Sequence, residues 1–436
     1  MADARTRAPV RIGGASGFWG DSSVGAPQLV AHGQIDYLVF DYLAELTMSL
    51  LAAARSKNPE LGYATDFVAV TLKAILKDVV AQNIRVISNA GGVNPQACAQ
   101  AIRALAAEQG VAVKVAVVLG DDVMPLVDAL RGEDVRELQN GAVLPAKVLT
   151  ANAYLGALPV ACALADGAEV VITGRCVDSA VTLGPLIHHF GWGMDEFDKL
   201  AGASLAGHII ECGCQATGGL FTDWHLVPDW AHIGYPIVEC EADGSFTVSK
   251  APGTGGLITP ATVGEQMLYE IGDPGAYLLP DVGCDFRQVR MVQTGPDRVH
   301  VSGALGFAPP PTLKVSATYM RGWRCTGTLT IVGMDAKAKA QRSGQAIYQR
   351  VSEMFAQRGW APFSAWRIEV LGSEALYGPH ATAHPPREVT MRIAVHHDSR
   401  EALELFAREI SPAGTWVSGP KERRNKWRQA CLTKSN

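Results

Sequence analysis

Arg85-Val86-Ile87-Ser88 runs directly into Asn89-Ala90-Gly91-Gly92-Val93-Asn94, and Pro95–Glu108 follows as an amphipathic stretch. Val86 and Ile87 point to opposite faces and both are β-branched, the mark of a strand buried inside a parallel sheet. Asn94 can cap the helix, and Pro95 suits its first position. The chain repeats this strand, loop and helix. Val10-Arg11-Ile12-Gly13, Tyr37-Leu38-Val39-Phe40, Val113–Leu119 and Val170-Val171-Ile172-Thr173 are strands of the same kind, and Asp66–Gln82 is another amphipathic stretch. Five such strands predict an α/β fold with a mostly parallel, doubly wound sheet, placed here in a domain of residues 1–205. A closed eight-fold barrel needs more units than these.

After about Gly202 the texture changes. Glycine and proline become frequent, and short alternating runs appear at Phe246-Thr247-Val248, Val299-His300-Val301, Leu313-Lys314-Val315 and Leu329-Thr330-Ile331-Val332. A helix is expected at Asp335–Arg358, strands at Trp366–Leu371 and Glu388–His396, and a last helix at Arg400–Ile410. Residues 206–436 therefore read as a β-rich α+β domain.

The 436 residues are 48% hydrophobic and 19% charged, with a net charge of −5. That composition describes a folded globular chain and disfavours a general nucleic-acid binder. No apolar run reaches the roughly 18 residues that span a bilayer. Nine cysteines without a CxxC pair suit reduced thiols, and a cytoplasmic location is expected.

In an open parallel sheet, ligands bind beyond the carboxyl ends of the strands. Those ends carry Gly13–Ser22, Asp41-Tyr42-Leu43-Ala44-Glu45, Asn89–Asn94, Gly120-Asp121-Asp122 and Gly174-Arg175-Cys176-Val177-Asp178-Ser179. Arg175 and Asp178, three apart at a helix start, suit a clamp on a substrate carboxylate with an acid/base beside it. They equally suit a mutual ion pair, and a strand-end arginine is expected outside the core. Glu45 reads as a catalytic carboxylate or as a solvated helix-start charge. Gly14, Gly17 and Gly20 are spaced three apart, which is not the dinucleotide fingerprint, and Phe18 and Trp19 crowd the loop. No nicotinamide or flavin is expected. In Gly207–Gly219, His208, Glu211 and Cys212 could supply an acid/base pair or a nucleophile, while the CxC of Cys212 and Cys214 is a poor zinc signal. Pro252-Gly253-Thr254-Gly255-Gly256 reads as an anion nest for a phosphate of coenzyme A or as a hairpin turn. The basic Lys421–Asn436 reads as a solvated tail or as a contact for an acidic partner.

Several stretches resemble the acyclic terpene utilisation (AtuA-like) family. They are Ser16–Asp21, Ile35–Glu45, Ala151–Gly156, Thr173-Gly174-Arg175 with Asp178, Phe190-Gly191-Trp192, Gly207-His208 with Glu211-Cys212-Gly213, Thr217-Gly218-Gly219 and Pro252–Gly256. The resemblance runs in collinear order from about Val10 to about Val332. Longer relatives carry a further small ferredoxin-like domain, fused or as a separate protein. The segment after Asp335 lacks its signature, so the chain resembles a stand-alone large subunit. The resemblance implies catabolism of citronellol-like terpenes through coenzyme A thioesters, by hydration or retro-aldol cleavage of a branched 3-hydroxyacyl-CoA. It also implies a possible partner subunit of ferredoxin-like fold.

The expected activity is that of a lyase, first a cofactor-independent hydratase/dehydratase of a small hydroxy acid or its coenzyme A ester. A metal-assisted retro-aldol lyase and a non-catalytic ligand-binding subunit are the alternatives, and a divalent metal is the one cofactor left open. Asp21, Glu45, Arg175, Asp178 and Glu211 are the catalytic candidates. Ser16, Asn89, Asn94, Thr254 and Gly255 are the substrate-binding candidates, and a homo-oligomer is expected.

Overall fold

The computed structural model describes residues 8–382, 385–415 and 429–434, the last stretch as backbone only. Two compact units divide it, Met1–Thr318 and Tyr319–Asn436.

In the first unit the predicted strands form as β1 (Val10–Gly14), β2 (Tyr37–Phe40), β3 (Arg85–Ser88), β4 (Val115–Val118) and, after β5 (Thr150–Ala153), β6 (Val170–Thr173). Next come β7 (Pro236–Cys240), β8 (Phe246–Lys250), β9 (Tyr277–Leu278), β10 (Gly283–Asp285), β11 (Arg290–Gly295), β12 (Arg298–Ser302), β13 (Leu305–Phe307) and β14 (Val315–Thr318). Nine of them make one sheet in the order β11-β12-β8-β7-β1-β2-β3-β6-β4. The five from β1 to β4 are parallel, and β7 then joins β1 antiparallel.

The strands alternate between two cores. Val39, Ile87 and Val171 face one side with the helices Leu158–Ala165, Ala180–Phe190 and Phe197–Ile210. Leu38, Phe40, Val86, Val170 and Ile172 face the other, with the helices Gly25–His32, Lys73–Ala81 and Pro95–Gln109. Apolar residues on both faces therefore report helices on both faces. Asn94 caps Pro95–Gln109 by accepting from the Ala97 amide, and Gly110 ends it in the left-handed region at φ 70°.

The division between units falls at Thr318 and not near residue 205. That position lies within the helix Phe197–Ile210, and β7, β8, β12 and β11 extend the sheet that β1 begins. The change in texture marks a change from parallel to antiparallel pairing within one sheet. Strand β5 is absent from the sequence prediction because Thr150-Ala151-Asn152-Ala153 lacks an apolar run. It pairs with β14 outside the main sheet.

The second unit comprises β15 (Trp323–Val332), the helix Ala336–Gln357, β16 (Ala365–Leu371), β17 (Glu388–His397), the helix Arg400–Ile410 and β18 (Gln429–Lys434). Its sheet order is β16-β17-β15-β18, all antiparallel. This βαββαβ succession is the split βαβ arrangement of ferredoxin-like folds. The sequence reading expects that topology only in an added domain, and the chain carries it in its own second unit. Of the basic stretch Lys421–Asn436, Gln429–Lys434 is a strand beside β15, and the rest lies outside the described residues.

Candidate active site

Asp41 follows β2 directly, and Asp178 lies five residues beyond β6. Glu211 follows the helix Phe197–Ile210. One oxygen from each lies within 4.8 Å of the others. Asp41 and Glu211 are buried, and Asp178 reaches solvent in part.

The end of β1 and the loop after it make room for Glu211. A Cβ on Gly14 would stand 2.6 Å from the carbonyl oxygen of Ile210, and one on Gly17 would stand 2.6 Å from the carbonyl carbon of Cys212. These glycines thus serve the close approach of the two segments. Gly174 has a similar role. Its Cβ would lie 2.4 Å from Asp121 Oδ2, the oxygen that accepts the Arg175 amide at 2.9 Å and Asn152 Nδ2 at 2.8 Å.

Arg175 is only 2% exposed, so the expectation that it sits outside the core is corrected. Its guanidinium lies 3.9 Å from the centre of the Tyr154 ring, and Nη1 donates to Asp178 Oδ1 at 2.9 Å and to the Cys176 carbonyl at 3.0 Å. Pairing and ring contact both offset the cost of burying the cation. Glu45 joins the site indirectly. It accepts from the Tyr154 hydroxyl at 2.6 Å and from Lys314 Nζ at 3.0 Å, with Lys314 Nζ also 4.6 Å from the ring centre.

Asn89 is fully buried between two groups of the β2 end. Its Nδ2 donates to Asp41 Oδ1 at 2.5 Å, and its Oδ1 accepts the Tyr42 amide at 2.7 Å. Ser16 Oγ donates to the Asp41 carbonyl at 3.2 Å. Behind Glu211, His208 Nδ1 stands 2.8 Å from Oε1, and both side chains are at least nine-tenths buried.

The other candidates hold their own surroundings. Asp21 accepts from the Gly17 and Ser22 amides and the Tyr235 hydroxyl, and lines a cleft with Ser16, Tyr42, Asp66 and Thr71. Asn94 caps its helix and donates to the Pro59 and Leu61 carbonyls. Thr254 Oγ1 donates to the Ala251 carbonyl, and the Gly255 amide to that of His232. Among the described residues, no hydrogen bond links Asp21, Asn94, Thr254 or Gly255 to the carboxylate trio.

Burial pushes the Asp41 carboxyl well above its usual range, and the charges of Asp178 and Glu211 push it further against the pull of Arg175. Burial also lifts Glu211 to about 7, with His208 opposing and Asp178 reinforcing. Burial alone would lower His208, but the adjacent Glu211 holds it above the ordinary value. Glu45 goes the other way. Burial raises it, yet the Tyr154 hydroxyl and Lys314 bring it down to about 2.

Sequence reasoning placed Asp41 at a strand end but left it out of the catalytic set, and it missed Tyr154 and Lys314. Asp41 was legible as the first residue beyond β2. Tyr154 was hidden with β5, and Lys314 lies one residue before β14.

No curated protein and no solved structure matches this chain. The family model of the acyclic terpene utilisation family protein AtuA matches residues 10–428, a range that includes most of the second unit. The chain belongs to the acyclic terpene utilisation family.

Proposed function

We propose that this protein is a catabolic lyase, a hydratase/dehydratase of a small hydroxy acid or its coenzyme A ester. The observation that carries this reading is the convergence of Asp41, Asp178 and Glu211 beside the Arg175 guanidinium. Loss of water from a 3-hydroxy acid needs a base for the α-proton, an acid for the departing hydroxyl and a cation facing the enolate oxygen. Two of the carboxyl groups divide the first two tasks. Arg175 supplies the third, its Nε having no protein partner. The α-proton passes to a carboxylate and the C–H electron pair forms the double bond. The C–O bond breaks, and the oxygen leaves as water with the proton of the second carboxyl group. The family's link to terpene utilisation supports a catabolic role.

A metal-assisted retro-aldol lyase is the second reading. It is favoured by the same three carboxylates, since such cleavage often uses a divalent ion to polarise a carbonyl.

The test is incubation of the purified full chain with a panel of 3-hydroxy acids and their coenzyme A esters in D2O. The expected result is α-deuterium uptake with loss of one water from one class of substrate. Carbon–carbon cleavage products would select the second reading. Neither exchange nor product across the panel would refute both.

A further inference from the structure

The carboxylate trio has more unmet bonding capacity than acid–base chemistry needs. Three carboxyl groups meet one guanidinium and one imidazole, so with all three ionised negative charge is in excess whichever form His208 takes. A separate observation points the same way. Glu211 is 6% exposed, and while Oε1 faces His208, its Oε2 is buried with no protein partner. Ser179 Oγ and Arg175 Nε, both on 2%-exposed residues in the loop that carries Asp178, likewise have no protein partner. Buried polar atoms rarely stay unbonded, so these call for a partner that the protein does not supply.

We infer that Asp41, Asp178 and Glu211 bind one hard divalent cation, Mg2+ or Mn2+, and that His208 orients Glu211 from behind. All three donors are carboxylate oxygens, which suits a hard ion and not zinc, whose sites favour thiolate and imidazole. Ligating carboxylates are generally held by a hydrogen bond from a neighbouring group, and His208 stands where it can supply one to Glu211. The partly exposed Asp178 provides the way in. The occupied trio then presents a cation beside Arg175, and together they suit a substrate with two adjacent oxygen groups, such as a hydroxyl next to a carboxylate or thioester carbonyl.

This inference goes beyond the lyase reading and replaces its direct acid–base use of the trio, since a carboxylate that holds the ion is no longer free to carry the proton; binding alone tests it. Full-length protein is stripped with EDTA, returned to chelator-free buffer and titrated with Mn2+, the free ion being followed by EPR. One Mn2+ per chain is expected, displaceable by Mg2+, with a Kd below about 1 mM. Asp178→Asn and Glu211→Gln, shown folded by circular dichroism, should each weaken binding at least about tenfold, and His208→Gln by about tenfold. Asp122→Asn, a strand-end carboxylate outside the trio, should leave binding unchanged. If either trio variant does not fold, Asp41→Asn replaces it. No saturable binding by the wild type up to that concentration, or undiminished binding by the folded trio variants, overturns the inference. Either result leaves the deuterium-exchange test of the lyase reading intact.

Discussion

Replacing Asp41 with Asn should stabilise the protein in EDTA while removing its response to a divalent ion. The amide keeps the shape of the carboxylate, and its oxygen can still accept from Asn89 Nδ2 and the Leu43 amide. What disappears is one negative charge within 4.8 Å of two others. At an effective dielectric of about 20, each such pair repels by about 3.5 kcal/mol when both members are charged. Loss of the attraction to Arg175 and partial protonation of Asp41 both reduce the gain, and a net stabilisation on the order of 2 kcal/mol is expected. Urea unfolding followed by far-UV circular dichroism measures it as a higher midpoint at unchanged slope. Wild-type protein in Mn2+ at about 100 times its Kd should gain about 2.7 kcal/mol, and Asp41→Asn should gain little. A variant less stable than wild type in EDTA would refute the reasoning, because the trio would then be held together by its bonds and not strained by its charges.

Other expectations concern the groups around the trio. Arg175→Ala should destabilise the fold by about 3–5 kcal/mol in EDTA, since it leaves Asp178 without its cation among like charges, and a urea titration reads this directly. Gly174→Ala should cost about 1–3 kcal/mol, because its Cβ would press on Asp121 Oδ2, and near-neutral behaviour in a thermal melt would contradict that packing. The depressed Glu45 carboxyl makes a contribution to stability that is full above 4.5 and is lost as the pH falls through about 2. Glu45→Gln should flatten the stability profile across that window. The effect should be modest, since the side chain is 60% exposed, and an unchanged profile would show that the Tyr154 and Lys314 contacts are inconsequential.

The sequence by itself determined the parallel sheet. Val10–Gly14, Tyr37–Phe40, Arg85–Ser88, Val115–Val118 and Val170–Thr173 all form where apolar, β-branched runs predict them, because strands buried on both faces must be apolar on both faces. Asn94-Pro95 likewise announced its helix, since capping is a local hydrogen bond. The strand ends therefore marked the side on which Asp41, Asn89, Arg175 and Asp178 meet. Tertiary structure alone decided the rest. That β7, β8, β12 and β11 continue the first sheet is a matter of long-range pairing, which composition does not record. The short strand β5 takes its hydrogen bonds from β14, more than 160 residues later, and from Asp121 and Val123, about 30 residues earlier. Glu211 reaches Asp41 and Asp178 from the end of a helix in no sequence proximity to either, through a gap that glycines at 14 and 17 keep open. A carboxylate trio is a property of distance, and distance between remote residues is set by packing.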